Sequence, residues 1–265
     1  MDNKELSKQI TEEIKKAINE IDETELDFTQ TFFTQGKELG KTAYLNWRFD
    51  KETSFEQFCT MGDAYFEPQY YLLWELLNTD ALAKSDAWMF PIIFNTIHGI
   101  ECYLKGILGK LNIVTQLIEG ERDENKLKFG FEKTHYINKL CNDVIIKMEK
   151  IAEKEKIAEK EKTADWSNYI EHMKVVQKFI TQIYDNAKDV ISFRYPFSNN
   201  LGTFFYNSSL ENGSGTTDDD AFGKAFSIEG PSENVTLDIK TYFVWFTKVH
   251  QIFKNMYYAM NEIPL

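Results

Sequence analysis

Three side chains that can bind charge or exchange protons recur at helical spacing near the middle of the chain. His98, Glu101 and Lys105 are separated by three and four residues, so a helix would carry them on one stripe. One interpretation is a polar site lining a cleft between helices, where a buried carboxylate beside a lysine shifts both pKa values. The other is architectural, with Glu101 paired to Lys105 and His98 satisfying a core hydrogen bond. We favour the second, because ion pairs inside helical bundles also shift pKa values.

The other histidines lack the spacing of a metal or nucleophile site. His135 follows a predicted helix cap at Thr134 and is expected to help close that helix start. His172 and His250 stand singly on predicted helices, outside any His-Glu-x-x-His spacing. These positions predict no metal site and no catalytic residue.

Motifs for other chemistry are missing from the sequence. It contains no glycine-rich phosphate loop, no Gly-x-Ser-x-Gly elbow and no Cys/His zinc spacing. Three consecutive acids, Asp218 to Asp220, lie in a Gly/Ser-rich stretch and are interpreted as solvated rather than as a divalent metal site. We therefore expect no cofactor. The cysteines at 59, 102 and 141 are odd in number and far apart, which predicts reduced thiols in a cytoplasmic protein.

Charge and hydropathy exclude some classes of function. The 265 residues carry a net charge of −12, which argues against broad, sequence-independent nucleic-acid binding because such affinity comes from neutralised phosphates. Only Arg48, Arg122 and Arg194 can offer the bidentate guanidinium that usually binds phosphate. No stretch of about 20 residues is apolar and uncharged, so no membrane span is predicted. The first segment is charged and amphipathic, unlike a signal peptide.

The pattern of apolar residues predicts an all-α protein centred on a helix over 85–111. In that helix the residues Ile93, Ile97, Ile100, Leu104, Leu108 and Leu111 recur at three and four positions. Further helices are predicted over 4–21, 55–78, from 134 onward, 165–188 and 238–261, with a polar connector over 112–133. Pro68 is expected to kink its helix or mark a short break, and Pro91 to lie in the first turn of its helix or to kink it. Residues 23–52 fit helix, hairpin or loop.

Two segments are predicted to extend from this helical bundle. Residues 149–163 hold a six-residue repeat that turns about 600° per step, so its isoleucines do not share a face and an exposed charged helical extension is expected. Residues 198–235 are rich in Gly, Ser, Asn and Asp and predict a loop or small β-hairpin. We therefore divide the chain into an N-terminal helix and irregular segment, 1–54, packed on a helical bundle over 55–265.

The order of these features resembles a known superfamily. An aromatic helix ending in Tyr70-Tyr-Leu-Leu-Trp-Glu-Leu-Leu77 is followed by the His98, Glu101, Lys105 helix. Thr134-His135 then opens another helix, Phe193-Arg194-Tyr195-Pro196 ends a later one, and an aromatic helix closes the chain. Over roughly 55–261 this resembles the larger bacterial members of the HEPN (higher eukaryotes and prokaryotes nucleotide-binding) superfamily. The resemblance implies an up-and-down helical bundle, often a homodimer.

The resemblance also tests for ribonuclease activity, because many HEPN proteins carry an arginine followed, after four to six residues, by a histidine. Behind Arg194 the three permitted positions hold Asn199, Asn200 and Leu201. Asparagine cannot exchange a proton near neutral pH as imidazole can. The resemblance therefore implies a non-catalytic module that binds RNA, a nucleotide or a protein partner. The expected setting is bacterial stress or phage defence.

In that module Arg194 would contact phosphate, Tyr195 would stack on a base, and Asn199 and Asn200 would form hydrogen bonds. Alternatively, Arg194 only braces the turn before Pro196. Two other functions stay open. One is a metal-independent ribonuclease in which folding brings another histidine to the site, and the other is a dimeric protein-interaction scaffold.

Overall fold

The computed structural model describes residues 3–20, 53–78, 82–131, 133–157, 164–186 and 237–263. Within these ranges the chain forms six α-helices and one short 3-10 helix, Glu124–Lys126, and no strand. The α-helices are α1 Asn3–Asn19, α2 Ser54–Asn78, α3 Leu82–Ile118, α4 Ile137–Ile157, α5 Trp166–Asn186 and α6 Ile239–Asn261. The predicted all-α class is confirmed for this part of the chain.

Helix α3 lies at the centre of the bundle. It packs between α2 and α4, α5 packs on α4, and α6 closes the bundle by contacting α2, α3 and α5. Helix α1 contacts α2. Because α3 is enclosed by three neighbours, its apolar residues are buried around most of its circumference, as the continuous apolar pattern predicted.

Helix α3 is longer than its predicted range of 85–111. Leu111 and Val114 are both buried, so the apolar face continues for two more turns and the helix ends at Ile118. The prediction of a polar connector from residue 112 is therefore wrong for its first seven residues. The stop is made by Gly120 at φ +102°, where Glu121 N donates to the Gln116 carbonyl at 3.1 Å. A positive φ of this kind is unfavourable for residues that have a Cβ, so helices commonly end at a glycine in this conformation.

The two prolines do not divide their helices. Helix α2 runs without a break through Pro68, and α3 runs through Pro91. Both rings are exposed, so the carbonyl that each proline leaves without its helical donor lies at a surface where water can replace that donor. The start of α2 is closed by a reciprocal pair: Thr53 N donates to Glu56 Oε2 at 2.8 Å, and Glu56 N donates to Thr53 Oγ1 at 3.3 Å.

The charged repeat after residue 149 is less exposed than the sequence predicted. As far as Ile157, where the described part of α4 ends, Ile151 and Glu155 are buried. Trp166 Nε1 donates to Glu155 Oε2 at 2.9 Å, so the start of α5 covers one side of the repeat. Glu153, Lys156 and Ile157 are exposed, as expected of a helix that projects its other side into solvent.

The α2–α3 contact is built from aromatic rings seated on glycines. A Cβ placed on Gly62 would lie 2.5 Å from the Tyr103 ring, and one on Gly99 would lie 2.6 Å from the Phe66 ring. Phe66 is fully buried and its ring also stacks on His250 of α6, with centroids 4.5 Å apart. The glycines therefore let α2 and α3 approach closely while aromatic rings fill the space between them.

Several predictions lie outside the described residues. These are the irregular segment over 23–52, the loop or hairpin over 198–235, and the residues Arg194, Tyr195, Asn199 and Asn200. Among the helices that the structure does describe, none combines the length and apolarity needed to cross a bilayer.

Candidate functional site

Glu101 is the centre of a polar cluster on α3. Lys105 Nζ lies 2.6 Å from Glu101 Oε1, and His98 Nδ1 lies 3.7 Å from Oε2. The helical spacing of 98, 101 and 105 places these three side chains together, as the sequence predicted. A fourth member arrives from the segment before α4, where His135 Nδ1 is 2.8 Å from Glu101 Oε1. We call these four residues the Glu101 cluster.

The members of the Glu101 cluster differ sharply in exposure. The Glu101 side chain is 10% exposed and that of Lys105 is 12% exposed. His98 is 35% exposed and His135 is 82% exposed. The carboxylate therefore forms a buried floor from which the two imidazoles reach solvent.

The charge of Glu101 is fixed by its neighbours. Burial alone would raise the pKa of this carboxyl, but the nearby His98 ring, hydrogen bonds from Lys105 and His135, and the charge of Lys105 lower the pKa to about 2. Glu101 is thus ionised throughout the neutral range. An ionised, buried carboxylate holds its donors in place strongly, since charge-assisted hydrogen bonds are the stronger kind.

Aromatic rings orient the cluster from the sides. Phe94 meets the His98 ring edge-on, with centroids 4.3 Å apart, and the Tyr65 ring lies 5.6 Å from it. Lys105 Nζ lies 5.6 Å from the centre of the Phe131 ring, within the range of a cation–π contact. These contacts limit the rotation of His98 and Lys105.

Both imidazoles of the Glu101 cluster present Nδ1 to the carboxylate. Within the described ranges, Nε2 of His98 and Nε2 of His135 make no hydrogen bond, so both are available to a ligand. His135 does not simply close the start of α4, as the sequence suggested. There Tyr136 N donates to Thr134 Oγ1 at 3.2 Å, while the His135 ring turns to Glu101.

A second network, centred on Asp63 of α2, was missed by the sequence analysis. His250 Nε2 lies 2.8 Å from Asp63 Oδ1, and Lys254 Nζ lies 2.7 Å from Oδ2. The Tyr103 hydroxyl also donates to Oδ1, and the Tyr70 hydroxyl lies 3.1 Å from His250 Nδ1. We call these five residues the Asp63 network.

The Asp63 network has the character of an architectural element. Burial would raise the pKa of Asp63, but hydrogen bonds from His250, Lys254 and Tyr103 outweigh it and lower the pKa to about 2. Burial, with the Asp63 hydrogen bond and charge, raises the pKa of Tyr103, which stays a neutral donor. Both nitrogens of His250 are occupied, so no imidazole nitrogen remains for a substrate, unlike in the Glu101 cluster.

One signal in the sequence could have revealed the Asp63 network. His250 and Lys254 are four residues apart on α6, where one helix face would carry both beside aromatic core residues. Two basic side chains next to a core call for a buried acceptor. His250 was predicted only as a single histidine on a helix, without this acceptor.

The structure gives neither network the features of a metal centre. Across the described residues, no group of three or more His, Cys, Asp and Glu side chains is arranged to hold a metal ion. In the Glu101 cluster the Lys105 ammonium lies 2.6 Å from Glu101 Oε1, and its positive charge opposes a metal cation beside that carboxylate.

Comparison with other proteins gives no further guide to the site. No known family model, curated protein or solved structure matches this chain. The HEPN resemblance therefore stays a prediction from the residues that carry it.

Proposed function

We propose that the chain is a non-catalytic module of HEPN type that binds RNA or a nucleotide through the Glu101 cluster. The observation that supports it most directly is the pair of imidazoles, His98 and His135, held by one buried carboxylate with Nε2 of both rings available. In this proposal Arg194, Tyr195, Asn199 and Asn200 add the phosphate, stacking and hydrogen-bond contacts expected from the sequence.

The charge of the Glu101 cluster suits a phosphate group. The Lys105 ammonium matches the Glu101 carboxylate, and the two imidazoles add ring nitrogens but no negative charge. The cluster thus has no excess negative charge, on a protein whose net charge is −12. A small area of this kind on an acidic protein favours a local contact with one or two phosphates over binding along the length of a nucleic acid.

The rings beside the cluster suit a base. Tyr65 and Phe94 flank His98, and each is only partly buried. A base can stack on an aromatic or imidazole ring with little dependence on its identity, which contributes about 1–3 kcal/mol per base. Phosphate and base contacts would then lie side by side.

The test measures the binding of a fluorescently labelled, mixed-sequence RNA of about 12 nucleotides. Binding is detected by fluorescence anisotropy at low salt. We expect His98→Ala combined with His135→Ala to weaken binding about tenfold or more, because the contacts of both imidazoles with the ligand are lost. His172→Ala is the matched control, since it removes a partly exposed imidazole from α5, away from the cluster. An unlabelled nucleoside monophosphate should compete.

Equal binding by the double variant and the wild type would contradict the use of this cluster. Loss of binding in His172→Ala to the same extent would mean that the effect is not specific to the Glu101 cluster. If the wild type binds neither RNA nor a nucleotide, the proposal is overturned and the dimeric scaffold becomes the better candidate.

The metal-independent ribonuclease is a second candidate, favoured by the same two imidazoles. One imidazole could take the proton of the 2′-hydroxyl as it attacks the adjacent phosphorus, while the other gives a proton to the departing 5′-oxygen. His135 Nδ1 is within hydrogen-bond distance of Glu101 and His98 Nδ1 lies 3.7 Å from it, so one carboxylate would orient both rings for these roles.

Cleavage of an RNA pool in the presence of a chelator distinguishes the two functions. We expect no cleavage, because the arginine and histidine spacing of the family ribonucleases is broken at Asn199 and Asn200. Metal-independent cleavage that is abolished by His135→Ala and retained by His172→Ala would establish the ribonuclease instead.

A further inference from the structure

A cavity of about 400 Å³ lies at one end of the bundle, where the start of α2 meets α3 and the end of α6. Its lining combines apolar and polar side chains, namely Thr53, Ser54, Phe55, Glu56, Lys110, Ile113, Phe129, Asn261 and Ile263. The volume is within the range of small-molecule sites, about 300–1,000 Å³. None of its lining residues belongs to the Glu101 cluster or the Asp63 network.

Lys110 is the unusual member of this lining. It is 4% exposed, and within the described ranges its ammonium makes one hydrogen bond, to the Ile263 carbonyl at 3.2 Å, and no ion pair. An ammonium carries three N–H donors, so two are left for other partners. Burial lowers the pKa of Lys110, and the opposing charge of Glu56 does not offset this effect.

The carboxylate of Glu56 does not complete this site. Its Oε2 accepts from Thr53 N at 2.8 Å and from Thr53 Oγ1 at 2.9 Å, which holds it in the helix cap. The contrast with Lys105 is direct, because that buried lysine has its carboxylate at 2.6 Å. A buried cation without such a partner is costly, and an anion that enters the cavity would remove the cost.

We propose that this cavity binds a small amphipathic monoanion, a carboxylate on an apolar body. The carboxylate accepts the two remaining Lys110 N–H donors, near the first turn of α2, whose dipole favours negative charge. The apolar body packs among Phe55, Ile113, Phe129 and Ile263. A single negative charge matches the single buried cation, whereas a phosphate with nearly two charges would leave an excess beside Glu56.

The test is calorimetric titration of the full chain at pH 7 with octanoate and, separately, with octanol. We expect octanoate to bind at least about tenfold more tightly than octanol, because only the carboxylate gains charged hydrogen bonds. Lys110→Met replaces the ammonium with an unbranched apolar side chain of nearly the same length and should remove this preference. Lys174→Met is the matched control, since it removes an exposed lysine from α5 and should leave both affinities unchanged.

A second variant keeps the test decisive if Lys110→Met does not fold. Ile113→Trp fills the cavity from its apolar side and should abolish binding of both probes while Lys110 is retained. The proposal is overturned if octanoate does not bind the wild type, if octanol binds equally well, or if Lys110→Met binds octanoate as the wild type does. The RNA-binding experiment above is independent of these results, because it concerns different residues.

Discussion

Asp63→Ala is expected to lower the free energy of unfolding by about 3 kcal/mol. The substitution leaves His250, Lys254 and Tyr103 without the acceptor that they share. Removing one partner from a buried network costs more than the network itself contributes, since the remaining groups stay desolvated. We expect a loss at the lower end of the range for buried charged networks, because Asp63 and Lys254 are 23% and 33% exposed. Urea denaturation at pH 7 measures it.

The difference in the free energy of unfolding between wild type and Asp63→Ala should also depend on pH. The pKa of Asp63 is lowered from 3.8 to about 2 on folding, so its contribution is complete above about pH 4 and is lost as the pH falls through 2. The difference in the free energy of unfolding between wild type and variant should therefore shrink by about 2 kcal/mol in acid. The exposed Asp86 gives the control Asp86→Ala, expected within about 0.5 kcal/mol of wild type at every pH. A constant difference from pH 7 to pH 2 would contradict the network.

Phe66→Ala is expected to cost about 3–5 kcal/mol, the largest effect of any substitution considered. Phe66 is fully buried, and its ring meets Tyr103, Phe246 and His250 at centroid distances of 6.2, 5.1 and 4.5 Å. Alanine would leave a cavity at the junction of α2, α3 and α6. The neighbouring helices are closely packed and cannot move in to fill it. Thermal or urea unfolding should show the loss directly.

Phe90→Ala is the matched control for Phe66→Ala. It deletes the same ring from α3 at a position that is 39% exposed, and we expect a loss below about 1 kcal/mol. Similar losses in the two variants would mean that the three-helix junction is not the core that the structure describes.

Helix periodicity was the most reliable guide to the fold, because it depends on neighbours three and four residues apart. It predicted the six α-helices found in the described part of the chain and placed His98, Glu101 and Lys105 together. It was less accurate at the end of α3, although Val114 and Ile118 follow Leu111 at the same spacing and continue its apolar face. The exposure of the repeat after residue 149 was misjudged for a different reason, because Trp166 covers Glu155 only in the folded bundle.

The polar networks were harder to predict because they join distant parts of the chain. Asp63 and His250 are 187 positions apart, and His135 reaches Glu101 across 34. Periodicity identifies which residues share a helix face but not which faces meet. Lys110 illustrates the same limit: the sequence shows a lysine within an apolar helix, and only the packing of α2 and α6 around it shows that it is buried.

The glycines beneath the aromatic rings also determine where the chain can change length. Gly62 and Gly99 each sit under a ring of the opposite helix, so α2 and α3 fit in one register. Inserting one residue into either helix would turn all later residues by about 100° and place larger side chains under those rings. The short 3-10 helix Glu124–Lys126, which has no buried residue, carries no such constraint. Length variation in relatives should therefore collect in the segment around that short helix, and the α2–α3 pair should keep its register and with it the position of Glu101.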